Sequence, residues 1–193
     1  KGDSFAHLAA QGGHWMVVEA VKRMRPLRDS VNKAGQTPAH AAANAGHAVV
    51  VSQFVKAGLS VHTTDVEGNT PLHFAVHLDD GHEVVGALLA ARAPVDARRT
   101  DGLTPLAMAV GQGRELTVGT LLQVGAKVDL AGADSNLPLH FAAAHGYQRI
   151  AELLLLRKAD HNAKNAHGET PYQMANARGF MGICMAMDEP SRI

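Results

Sequence analysis

At 193 residues the chain has room for one large or two small globular domains. Its 18 basic and 18 acidic residues cancel and only 4% of it is aromatic, so it lacks the basic excess and stacking aromatics of a nucleic-acid-binding surface. No apolar run approaches the roughly 18 residues needed to span a membrane, and the single cysteine, Cys184, excludes an intrachain disulfide and suits a reducing, cytoplasmic or nuclear compartment.

The chain opens on Lys1-Gly2-Asp3-Ser4-Phe5 without the apolar stretch of a signal peptide. It is already inside a pattern there. Ser4-Phe5-Ala6-His7 is a degenerate copy of a motif that returns as Thr37-Pro38-Ala39-His40, Thr70-Pro71-Leu72-His73, Thr104-Pro105-Leu106-Ala107, Leu137-Pro138-Leu139-His140 and Thr170-Pro171-Tyr172-Gln173. The first residues of these copies are spaced by 33, 33, 34, 33 and 33 positions. A fixed period of this length marks stacked repeats, none of which can bury its apolar face alone. The repeats run over approximately 1–32, 33–65, 66–99, 100–132, 133–165 and 166–193, read as one domain of 1–193. Because the first copy begins under way, the chain is expected to be part of a longer protein.

Repeat two serves as the template. Thr37 is suited to cap a helix, and Pro38 falls at the first helical position, where its missing N–H does no harm. Ala39, Ala41, Ala42 and Ala43 keep this first helix thin, so that neighbours can approach closely. Gly46-His47 breaks it. A second helix carries Val49, Val50, Val51, Phe54 and Val55 and stops at Gly58, and turn-like punctuation then leads to Gly68-Asn69-Thr70.

Repeat three carries one extra residue before its Gly-His turn, which predicts either a longer first helix or loop, or a protrusion of Leu78, Asp79 and Asp80 at a binding face. Arg92 ends the second helix of repeat three, and Lys158 that of repeat five, where glycine is expected; a left-handed conformation there costs about 1 kcal/mol. Repeat five also has Ser135 and Leu137 in place of the usual Gly and Thr, losing a capping hydroxyl worth about 1 kcal/mol. Asp134, Ser135 and Asn136 are the candidate substitute caps. Repeats three and five are therefore expected to be softer than two and four. In the last repeat Tyr172, Met174, Phe180, Met181, Met185 and Met187 read as the cover of one end of the stack, and Trp15 and Met16 as the cover of the other.

The order of these parts and the recurring Thr-Pro-Leu-His signature resemble the ankyrin repeat, over essentially the whole chain. The resemblance implies an all-α solenoid of stacked helix-turn-helix units with projecting loops or hairpins. It also implies a concave face of first helices and hairpin tips that binds a partner. The stretch Gly2 to Ala9 is similar, besides, to the first repeat of IκB-type inhibitors of transcription factors.

Twelve histidines suggest metal binding, but most have a structural place. His7, His40, His73 and His140 belong to the signature, where the imidazole is expected to bond an adjacent loop. His14, His47 and His82 belong to the Gly-His turn. His73, His77 and His82 come nearest to a zinc set yet bring no cysteine or convergent carboxylate. Cys184 reads as a packing thiol, and Asp79-Asp80 as a solvated turn without an enclosing pocket. No catalytic residue, metal or cofactor is expected.

The family's contact positions flank the turn glycine and close the first helix. In repeat two they fall on Lys33, Ala34, Gln36, Asn44 and Ala45. In repeat three they fall on Val66, Glu67, Asn69, Leu78, Asp79 and Asp80. Repeat four offers Thr100, Asp101, Leu103 and Gln112; repeat five, Ala133, Asp134, Asn136, Ala144 and His145; and repeat six, His167, Glu169 and Arg178. Val66, Leu78 and Leu103 are apolar where solvent is expected, with acidic residues around them. A partner presenting Lys or Arg beside one or two apolar groups would suit that field. The expected function is a monomeric, non-catalytic protein-binding module that takes no nucleic acid or membrane. The alternative is a regulatory or targeting domain of a larger protein, either an IκB-like inhibitor or the substrate-recruiting part of an enzyme.

Overall fold

A computed structural model describes residues 2–14, 16 and 30–188. The expectation for Trp15 lies outside the described residues. The chain divides into two compact units, Lys1–Thr100 and Asp101–Ile193. The described residues form α-helices and turns, with no strand among them.

In the first unit the helices are α1 (Phe5–Gln11), α2 (Pro38–Asn44), α3 (Ala48–Lys56), α4 (Pro71–Ala75) and α5 (His82–Ala90). At five to nine residues each is too short to persist alone, so its stability comes from its neighbours. First helices pack on first helices (α1 on α2, α2 on α4), and second on second (α3 on α5). The alanines of the first helices make this possible. Ala6, Ala9, Ala10, Ala39, Ala42, Ala43 and Ala75 are buried, while Val50, Val51, Phe54, Val84, Val85 and Leu88 fill the layer behind them.

The second unit repeats the scheme with α6 (Pro105–Gly111), α7 (Glu115–Gln123), α8 (Pro138–His145), α9 (Gln148–Leu156), α10 (Pro171–Ala177) and α11 (Met181–Asp188). A 3-10 turn at Ala133–Ser135 precedes α8. Here Leu106, Leu139, Val118, Leu121, Leu122, Leu154, Ile183 and Met187 are buried. Cys184 is buried with them, and burial raises its thiol pKa, which suits a packing role.

Between the repeats the chain makes hairpin-like tips. Asn32 N–H donates to the Gln36 carbonyl (3.0 Å), Asp65 to Asn69 (2.9 Å), Gly132 to Asn136 (3.0 Å) and Asn165 to Glu169 (3.0 Å). Successive tips are stitched together by one backbone bond each. In the first unit Val66 N–H donates to Ala34 (3.0 Å) and Thr100 to Glu67 (2.9 Å); in the second, Ala166 donates to Asp134 (2.8 Å).

The irregular places hold informative differences. The extra residue of repeat three does not lengthen its first helix. α4 has only five residues, and the turn Val76–Gly81 absorbs the addition. A Cβ on Gly81 would collide with the Ala75 carbonyl, which is why glycine closes that turn. Arg92 (φ 61) and Lys158 (φ 62) do adopt the left-handed conformation that Gly58 (φ 81) takes at the same place in repeat two. In repeat five Asp134 (φ 55) and Ser135 (φ 57) are both left-handed, so the missing glycine is met by two strained residues in the 3-10 turn. Leu137 is buried, so the lost hydroxyl is exchanged for apolar contact.

Candidate functional site

The signature histidines use both ring nitrogens. His40 Nδ1 accepts the Thr37 N–H at 3.0 Å and lies 2.9 Å from the Thr37 hydroxyl. His40 Nε2 lies 3.0 Å from the Asn69 carbonyl, 29 residues on. A backbone N–H can only donate and a carbonyl can only accept, so the ring is the neutral Nε2–H tautomer. His7 repeats this with Ser4 (3.2 Å) and the Gln36 carbonyl (2.7 Å), and His140 with Leu137 (3.1 Å) and the Glu169 carbonyl (3.1 Å). His73 Nδ1 accepts the Thr70 N–H at 3.1 Å.

Burial lowers the pKa of His40 and of His140, although nearby carbonyls and carboxylates pull the other way. The start of α8 is thus tied by His140. Where the motif lacks histidine, other groups serve. The Thr104 hydroxyl accepts from Ala107 N–H (3.2 Å) and that of Thr170 from Gln173 N–H (3.2 Å), while the Gln173 carboxamide accepts the Thr170 N–H (2.9 Å).

The turn residues interlock as well. His47 sits against Gly13 and donates from Nε2 to the Gln11 carbonyl (3.0 Å). Tyr147 lies over Gly113, and Phe180 over Gly146. Among the described residues there is no group of three His, Cys, Asp or Glu side chains placed to hold a metal.

The predicted contact residues divide into three kinds, exposed, half-buried and, for Asn69, buried. Val66 is 70% exposed, and Glu67, Asp79, Asp80, Asp101, Asp134 and His145 are also exposed. Glu67 stands 3.8 Å from Arg99, and His145 stacks on Tyr147 with ring centres 5.5 Å apart. Leu78, Leu103, Gln112 and Asn136 are half-buried. Leu78 lies beside Gly46 and Leu103 beside Gly132, so each keeps only part of its surface open to solvent.

Asn69 is only 5% exposed and holds the tip together. Its N–H donates to Asp65 Oδ1 (2.8 Å), and its carboxamide reaches Asp65 Oδ2 (3.2 Å) and Glu67 Oε2 (3.3 Å). Burial alone would raise the Asp65 carboxyl, but hydrogen bonds from Asn69, Gln36 and Glu67 outweigh it and keep its pKa below the ordinary value.

Asp65 is the tip residue the sequence reading passes over. Asn32 and Asn165 stand at the same place, five residues before the motif threonine, and each accepts two backbone N–H bonds within its own tip. That spacing of Asn, Asp and Asn was the available signal.

In the first unit the tips and first helices enclose an open cleft of about 510 Å³, lined by Asp3, His7, Gln11, Asn32, Lys33, Ala34, Gln36, Ala41 and Asn44. Tips rising beside first helices, with a motif histidine tying a helix start to the next tip in repeats one, two and five, are the arrangement expected of an ankyrin-type repeat. A family model of ankyrin repeats in three copies matches residues 6–99 and again, overlapping, 79–165. The chain belongs to the ankyrin repeat family. Ankyrin repeats are in general protein–protein interaction modules and typically non-catalytic. A comparison with curated proteins returns no match. Among the described residues no helix is long and apolar enough to cross a membrane.

Proposed function

We propose that this protein is a non-catalytic module that binds another protein where the hairpin tips meet the ends of the first helices. The open cleft of the first unit carries this reading, since it is bordered by tip residues on one side and by helix residues on the other. The tips are held by their own hydrogen bonds before any partner arrives, so the ordering cost of binding falls on the partner. On repeat three the exposed Val66, Glu67, Asp79 and Asp80 favour a segment with Lys or Arg next to an apolar side chain.

The test is affinity capture with the wild-type chain and a Val66→Ala/Asp79→Lys/Asp80→Lys variant side by side, read by mass spectrometry. Proteins retained by the wild type and lost from the variant, with unchanged circular dichroism and melting, are the expected result. Equal retention of every protein by both chains removes the reading for this surface.

A further inference from the structure

His145 is the last residue of α8 and Arg178 follows the last residue of α10, 33 positions on, and both are exposed. The same place in the earlier repeats holds Gly12, Ala45, Leu78 and Gln112, none of which carries a basic group. One turn earlier on the same two faces lie Phe141 and Met174, both half-buried. Because α8 packs on α10, the four side chains form one patch of the second unit, with apolar groups toward the helix starts and nitrogen-bearing groups at the helix ends.

The contacts within this patch fix how it meets a ligand. His145 Nδ1 donates to the Phe141 carbonyl at 2.9 Å, and its ring stacks on Tyr147 with the planes 11° apart. From the next repeat Arg178 Nη1 donates to the carbonyl of Ala144, the residue before His145. That bond brings the guanidinium to the end of α8 and occupies one of its corners. The opposite edge, Nε–H and Nη2–H, bonds nothing among the described residues. Glu169, in the tip of the same repeat, accepts from Asn165 at 3.5 Å, and Glu152 on α9 is held by Arg149 at 3.1 Å. Neither pairs with Arg178. Two parallel donors in one plane match the two oxygens of a carboxylate, whereas a neutral carbonyl uses only one of them. A phosphate, with close to two charges, calls for more cations than this one guanidinium.

We infer that this face of the second unit binds a partner segment through an Asp or Glu carboxylate, held side-on by Nε and Nη2 of Arg178. An apolar neighbour of that acidic residue lies against Phe141 and Met174. The inference rests on the protein-binding reading above and specifies a second kind of contact, opposite in sign to the one favoured by Glu67, Asp79 and Asp80 on the first unit.

The test selects binders to the full chain from a displayed library of random short peptides, and the best binder is titrated against wild type, Arg178→Gln and Arg178→Lys. Enriched peptides should carry Asp or Glu next to an apolar residue. Exchanging that acid for its amide in the peptide should weaken binding to wild type about tenfold and change binding to Arg178→Gln little. Arg178→Lys keeps the charge and loses the planar fork, so its affinity should lie closer to that of Arg178→Gln than to wild type. Circular dichroism and melting of both variants show whether the end of α8 tolerates loss of the Nη1 bond. A second selection, made directly on Arg178→Lys, should lose the preference for acidic peptides. Enriched peptides without an acidic residue, no enriched peptide at all, or an acid-to-amide penalty equal in wild type and Arg178→Gln each overturn the inference. None of these outcomes removes the protein-binding reading, which the capture experiment decides.

Discussion

The motif histidine shows how one side chain can serve two repeats. Its Nδ1 holds the start of its own helix and its Nε2–H holds the next tip, so losing it opens a seam as well as a cavity. His40→Ala should lower stability by about 2–4 kcal/mol, read as a shift in the urea midpoint. His40→Gln should recover part of that, since Gln173 already accepts the Thr170 N–H in repeat six. The seam is also sensitive to acid. The pKa values of His40 and His140 are lowered in the folded protein, so below about pH 6.5 the unfolded chain takes up protons that the folded chain refuses. Their contribution is present in full above that value and is lost as pH falls toward the folded pKa values. The groups facing His40 are Asp65, which opposes the shift, and His7, which adds to it. Asp65 acts in a lower window: its pKa is depressed, so its contribution persists until pH drops through the carboxylate range. Unfolding midpoints at pH 7.5 and pH 5.5 should therefore differ, with the lower value in acid. Equal midpoints, or a smaller loss in wild type than in His40→Ala, would refute the account.

At the scale of the helix and its ends, two second helices finish on residues that L-amino acids avoid. Arg92→Gly and Lys158→Gly should each stabilise the chain by about 0.5–1 kcal/mol, and Gly58→Ala should destabilise it by a similar amount. Thermal melts of the three variants check the signs. These helix ends were legible from sequence because glycine at Gly58 sets the rule that Arg92 and Lys158 break. So were the proline starts at Pro38, Pro71, Pro105, Pro138 and Pro171. The site was less legible. Val66, Asp79 and Asp80 were exposed as read, but Asn69 faces inward because its carboxamide completes the tip with Asp65. Leu78 and Leu103 turn toward glycines of the neighbouring repeat, a contact made by residues some thirty positions away. No periodicity within one repeat reports such a contact.

For the molecule as a whole, stability in stacked repeats is close to a sum of repeat and junction terms, so weak repeats should show as local openings. The lengthened turn of repeat three and the paired left-handed residues of repeat five identify these places. Amide hydrogen exchange should be faster in 76–81 and 131–136 than in the corresponding segments of repeats two and four. Uniform protection across all four would count against soft repeats. The balanced net charge hides the exposed carboxylates Glu67, Asp79 and Asp80, so affinity for a basic partner should fall as salt rises through about 0.15 M, where charges are screened beyond ~8 Å.

Tyr147 leans on Gly113 and shares a ring face with His145, and it is one of only two tyrosines in the chain. Nature has thereby installed an optical gauge at the joint between repeats four and five. Anything that pries that joint apart, whether heat, a bulkier residue at position 113 or a ligand wedged alongside, will register in the emission of this phenol before the helices melt.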